Sequence, residues 1–214
     1  MAATRTVGKP LTARDQKREN SKTAVLKAAA ELFAHRGFEG VAIADVATLS
    51  GVRKPNLLYH FSSKEALWKE TVDWLFAQVD DFFATARTEM STEPWEAFKH
   101  LVANYYQACR LFPAYVLIPM VEGVASSWRT DWIAERHLSR HVQNFEGYVA
   151  VLVEKGKLPQ VEPLHLQNLI TGGAQLSIGM APLWCAAINK DTTSEDFLDA
   201  YARTVFALLE CAHE

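Results

Sequence analysis

Arg53, Lys54, Asn56, Tyr59 and His60, with Lys64 four residues further on, crowd into the stretch RKPNLLYHFSSK at 53–64. These are side chains that read and hold nucleic acid. Asn pairs bidentately with adenine, Arg or Lys pairs with guanine, and Lys, Arg, Tyr and His also bind phosphate oxygens. Asn56 is the strongest base reader of the set, Arg53 and Lys54 suit base or phosphate contacts, and Tyr59, His60 and Lys64 suit phosphates. Catalytic patterns do not accompany them: there is no Gly-rich phosphate loop after a strand, no GxSxG, no HExxH and no Cys/His nucleophile arrangement. No catalytic residue and no cofactor is therefore expected. Cys109, Cys185 and Cys211 lie far apart without a CxxC, as reduced thiols do. His137 and His141 are four residues apart, a spacing that can bind a metal, but no third ligand can be assigned, and no metal is expected.

The elements that must hold this cluster are legible on either side of it. Over Val41–Ser50, Ile43, Val46, Ala47 and Leu49 form an apolar side, with Asp45 and Thr48 facing out, which is a helical pattern. Gly51 can take a positive φ at little cost, so a sharp turn is expected there. Pro55 suits the first turn of a second helix, in which Leu57, Leu58 and Phe61 face inward and the cationic and amide side chains face outward. Small Ala47 permits close helix approach, and Val52 plugs the corner. Two short helices about a Gly turn form a helix-turn-helix. Ser62 and Glu65 then read as a capping box opening a third helix, whose N-terminus beside Lys64 suits a DNA phosphate.

The segments GVRKPNLLYHFSSKEAL (51–67) and AVLKAAAELFAHRGFEG (24–40) resemble the DNA-binding signature of the TetR-type (AcrR-like) one-component transcriptional regulators. The resemblance covers roughly the first third of the chain. It implies an all-α protein with an N-terminal three-helix helix-turn-helix domain and a C-terminal helical ligand-binding and dimerisation domain. It also implies repression relieved by a small-molecule effector, and double-stranded DNA with a palindromic operator as the target of a homodimer. Two positions depart from the family pattern. Val41-Ala42 stand where a Thr cap is usual, and Arg53 stands where Ser usually precedes the recognition helix. Each change forgoes a cap of about 1 kcal/mol.

Further along, the Phe112-Pro113 break, EKGKL (154–158), VEPLHL (161–166) and GAQLSIGMAP (173–182) resemble the branch containing the pyrimidine-utilisation regulator. Thr171 stands where that branch can offer an aromatic, and Gln175 is retained. Candidate ligand-binding groups are Gln175, Thr171, Glu122, Tyr105, Tyr106 and Trp184.

Composition agrees. Of 214 residues, 49% are hydrophobic and 22% charged, as in globular proteins. No apolar run is long enough to span a bilayer and no N-terminal apolar region resembles a signal peptide, so a cytoplasmic location and no membrane partner are expected. The net charge of −3 is unevenly spread: residues 1–70 hold 12 Lys+Arg against 7 Asp+Glu, and the remainder 10 against 18. A basic head on an acidic body lets only the head meet phosphates. The competing classes are a helical adaptor and an enzyme-like body that binds a metabolite without regulating DNA.

The chain divides into a basic flexible arm (1–20), a helix-turn-helix domain (21–66) and a helical body (67–214). The first helix is expected from Asn20 or Ser21 to Arg36, ended by Gly37, and a long helix from Ser63 to about Thr88 links head to body. Further helices are expected from Ser91-Thr92-Glu93-Pro94 to Phe112, over 114–125 with an irregularity at Pro119, and over 129–155. Two C-terminal helices, 163–188 and 194–212, carry small residues and broad apolar sides, and are expected to pair with their symmetry mates. Gly173 and Val205 are the expected interface positions.

Overall fold

The computed structural model describes residues 12–86 and 92–211, and those residues form a chain of helices without strands. The head consists of α1 (Ala13–Arg36), α2 (Ile43–Ser50) and α3 (Lys54–His60). The body follows as α4 (Lys64–Ala86), α5 (Pro94–Leu111), α6 (Pro113–Glu122), α7 (Trp128–Ile133), α8 (Ser139–Glu154), α9 (Pro163–Gly179), α10 (Ala181–Ile188) and α11 (Glu195–Cys211).

Helix α1 begins earlier than expected, because Thr12 and Asp15 form a reciprocal capping box: Asp15 N–H donates to Thr12 Oγ1 at 3.2 Å and Thr12 N–H to Asp15 Oδ2 at 3.1 Å. The arm assigned to 1–20 is thus corrected for residues 13–20, which are helical; residues 1–11 lie outside the described residues. Helix α1 ends at Gly37, whose φ is +64° and whose N–H donates to Phe33 O at 3.0 Å. A Cβ at Gly37 would also approach Val121 of α6 to 3.1 Å, so this turn is where head and body come close.

In the helix-turn-helix, Gly51 takes the left-handed conformation (φ +67°) that the sharp turn requires. Leu57 and Phe61 are fully buried and anchor α3, each contributing about 1.5–3 kcal/mol by burial. Leu49 and Leu58, expected inward, are instead 48% and 44% exposed, because α2 and α3, of eight and seven residues, are too short to bury two full rows. The missing Thr cap of α2 is partly replaced: Asp45 Oδ2 accepts the Ala42 N–H at 3.3 Å. The cap of α4 is Ser63 rather than Ser62, with Ser63 Oγ accepting Ala66 N–H at 3.0 Å.

Three body helices differ from their expected limits. The helix expected over 129–155 begins one residue earlier behind Ser127, which accepts from the N–H groups of Arg129 and Thr130. It is then interrupted by a π-helical turn over Ala134–Leu138 before continuing as α8. The segment expected as one helix over 163–188 breaks at Met180 into α9 and α10, just before Pro182. Helix α6 ends at Glu122, with Pro119 inside it. Gly173 and Val205 are buried within the chain; a Cβ at Gly173 would overlap the Tyr201 ring, so Gly173 seats α11 on α9 and is not an outer interface position.

Candidate nucleic-acid interface and ligand cavity

Arg53 just before α3 and Lys54 and Asn56 in its first turn are exposed, and Tyr59, in its last turn, is 74% exposed. They project opposite to the Leu57 and Phe61 anchors, so one side of a seven-residue helix is fixed in the core and the other is free. The early start of α1 places Arg18, part of the stretch read as a basic arm, on a helix beside α3. Arg18 reaches α3, its guanidinium 5.6 Å from the Tyr59 ring centre. The signal was available in the Thr12-x-x-Asp15 box. His60 is half-buried, and burial foremost, then the Arg18 and Lys22 cations, holds its pKa below the usual imidazole value. Lys64 is less free than the others: its Nζ lies 4.4 Å from the Phe38 ring centre and donates to Glu39 O at 3.4 Å.

A cavity of about 630 Å³ lies in the body among α4, α5, α6, α8 and α9. Of the six candidate ligand groups, Thr171, Gln175 and Tyr105 line it. Glu122, Tyr106 and Trp184 do not. Tyr106 is fully buried and donates its hydroxyl to Ile170 O at 2.9 Å, and burial drives its phenol pKa upward. Trp184 sits half-buried on α10. Sequence reasoning missed Gln167, whose Oε1 is buried without a hydrogen-bond partner, together with Asn144 and Tyr148. The four-residue spacing of Gln167, Thr171 and Gln175 was the signal for a shared helix side.

Glu122 joins head to body. It is 6% exposed, accepts the Phe38 N–H at 3.0 Å through Oε1 and holds Arg129 Nε at 2.5 Å through Oε2. Arg129 also lies 3.6 Å from Glu39. Phe38, in the turn after α1, packs edge-on against Trp128 (5.4 Å between centroids) and Trp68 (6.5 Å) and under the Arg129 guanidinium. The turn that leads into the helix-turn-helix is therefore gripped by α4, α6 and α7 of the body.

The histidine pair, of which His141 lines the cavity, is structural in its contacts. His137 Nε2 lies 2.8 Å from Asp73 Oδ1 and its ring stacks on Phe76 at 4.3 Å, while His141 lies 3.4 Å from Asp80. Among the described residues no group of three metal-ligating side chains exists. Burial is the largest influence on both rings and lowers both pKa values, as it does for His60. A folded-state pKa below the unfolded value means that the unfolded chain binds more protons. Stability is then full above about 6.5 and is lost as pH falls below it. The thermal midpoint is expected to fall between pH 7.5 and pH 5.5, and His141→Gln to reduce that fall; a pH-independent midpoint would contradict it.

An exposed recognition helix on a small head, locked by its leading turn to a helical body that holds a cavity, defines a helix-turn-helix transcriptional regulator. Residues 25–71 match the family described as bacterial regulatory proteins, tetR family, a span that contains α2 and α3 complete. Over those residues the chain is similar to the TetR-type regulators. It is 29% identical over 188 residues to the HTH-type transcriptional regulator RutR of Escherichia coli K12, covering 86% of each chain. It is 30% identical over 119 residues to the HTH-type transcriptional repressor KstR2 of Mycobacterium tuberculosis, covering 53% of this chain and 57% of that one. The solved structure of that ketosteroid transcriptional regulator shares the fold, with a TM-score of 0.66 and 22% identity over 94% of this chain and 96% of that one. These relatives are transcriptional regulators rather than enzymes. Among the described residues, no helix is long and apolar enough to cross a membrane.

Proposed function

We propose that this chain is a homodimeric repressor whose two heads bind a palindromic operator and whose body cavity takes a small molecule that loosens that grip. The observation that carries the reading is the pairing of exposed Arg53, Lys54 and Asn56 on α3 with a buried Glu122 link from the head's leading turn to the cavity-bearing body. In this reading α3 lies in the major groove, Asn56 reads a base, Arg53 and Lys54 contact bases or phosphates, and Arg18, Tyr59 and His60 hold the backbone. Lys64 contributes charge near the DNA from its seat on Phe38. Within the cavity Gln175, Thr171 and Tyr105 contact the effector. Glu122 transmits its effect, because a ligand shifts the head only through its differential affinity for the two states.

Dimerisation is assigned to the outer sides of α9, α10 and α11, which leave Leu169, Leu176, Leu183, Ile188 and Leu208 between 50% and 65% exposed. Pairing with a second copy covers such a surface. The test is the double variant Leu176→Glu, Leu208→Glu. Both side chains are on the surface, so the protomer is expected to stay folded while sedimentation shifts to monomer. Operator affinity should then drop by a factor on the order of 10²–10⁴, because the two half-sites no longer bind as one. A folded monomer with full operator affinity would contradict the proposal.

A further inference from the structure

We infer that the cavity takes an uncharged, fused-ring ligand with a hydrogen-bond donor on one edge, seated against a polar stripe of α9; this rests on the cavity being the effector site. Gln167, Thr171 and Gln175 all line the cavity at four-residue intervals along one helix. Successive members are about 6 Å apart, so the stripe is about 12 Å long. It is made wholly of amides and a hydroxyl, and its first member is incomplete. Gln167 Oε1 is buried with no hydrogen-bond partner. A buried acceptor left unmade is costly, and turning the amide so that Oε1 meets a ligand N–H or O–H in the cavity relieves it. A ligand without a donor leaves it orphaned.

The rest of the lining decides charge and shape. Phe76, Phe83, Tyr115, Leu138 and Phe145 supply apolar and ring surface from the other helices. The Lys, Arg, Asp and Glu side chains in the lining are Asp80 and Arg140, and these face each other at 3.4 Å. His141 lies on the same Asp80 carboxylate at 3.4 Å. Arg140 and Asp80 are 73% and 46% exposed, so a carboxylate or ammonium group seated on the α9 stripe, away from that solvated pair, would lose its hydration and meet only amides and a hydroxyl, which is unfavourable. The volume of about 630 Å³ is that of a site for a drug-sized molecule, and a single ring would leave most of it empty.

The test uses phenanthridinone, a neutral three-ring lactam, beside its N-methyl derivative and phenanthrene carboxylate, titrated into the full chain by fluorescence at pH 7.5. The lactam is expected to saturate, with the N-methyl compound and the carboxylate each binding at least tenfold more weakly. Gln167→Met, which keeps length but removes the acceptor, should bring the lactam down to the level of its N-methyl derivative. The comparison of lactam and N-methyl lactam on the unaltered protein stands even where the variant folds poorly. Equal binding of the N-methyl lactam, equal or tighter binding of the carboxylate, or no saturation by the lactam would overturn the inference. Thr171→Trp, which fills the cavity, separates this from the underlying reading. If the carboxylate binds best and Thr171→Trp abolishes it, the ligand class is wrong and the cavity stands. If a probe binds and Thr171→Trp changes nothing, the cavity itself is the wrong site.

Discussion

Asn56→Ala is expected to lower affinity for the cognate operator by a factor on the order of 30 to 10,000, and to relax preference at one base pair of each half-site. A good bidentate side-chain–base pair discriminates by about 1–3 kcal/mol. A dimer makes the contact twice, so the loss is about 2–6 kcal/mol, at about 1.4 kcal/mol per tenfold. The residue is exposed near the start of α3, with its neighbour Leu57 fully buried, so the substitution should leave the fold untouched. Arg18→Ala, which removes a backbone-holding cation, should behave differently, weakening all sequences alike and reducing the salt slope by about two, one for each half-site. Binding-site selection with each variant distinguishes the two. Unchanged base preference in Asn56→Ala would remove Asn56 from the readout.

Glu122→Ala is expected to be the most damaging single change to the fold that the head–body link allows. It strips the partner from Arg129, whose side chain is only 16% exposed, and leaves the Phe38 N–H without its acceptor. Breaking a buried pair from one side costs about 3–5 kcal/mol, and the residual Arg129–Glu39 contact at 3.6 Å involves an exposed carboxylate and is worth little. Urea unfolding measures the loss. Glu122→Gln retains an acceptor for Phe38 and should lose less. A change below about 1 kcal/mol in Glu122→Ala would show that the link does not hold the head. The same variants should reduce the factor by which an effector weakens operator binding, since the turn into α2 is then less firmly tied to α6 and α7.

The head was legible because its constraints are local. Gly51 needs a positive φ, Leu57 and Phe61 recur at helical spacing, and the cations and amide fall between them. What escaped was equally physical. The start of α1 depends on a Thr12–Asp15 box in a stretch whose charges suggested a solvated tail. Leu58 and Leu49 are apolar yet outward, since a seven- or eight-residue helix shows the core only a narrow stripe. The π turn at 134–138 leaves no compositional mark.

The body was less legible because partner choice there is long-range. Glu122 carries a charge that suits a ligand, but its partners are Phe38, 84 residues earlier, and Arg129. Tyr106 likewise finds Ile170, 64 residues away. Gly173 was read as a surface for a second copy, whereas it is the surface for Tyr201 of the same chain. Gln175 and Thr171 line the cavity, and Gln167 belongs with them at the same spacing.

The most direct test of the central claim is selection of bound fragments from random double-stranded DNA by the full-length protein at moderate salt. The account predicts enrichment of an inverted repeat whose half-site centres are separated by about 34–36 Å along the duplex, or a multiple of that distance. Recovery of no enriched sequence, with retention that simply decays with salt, would contradict it.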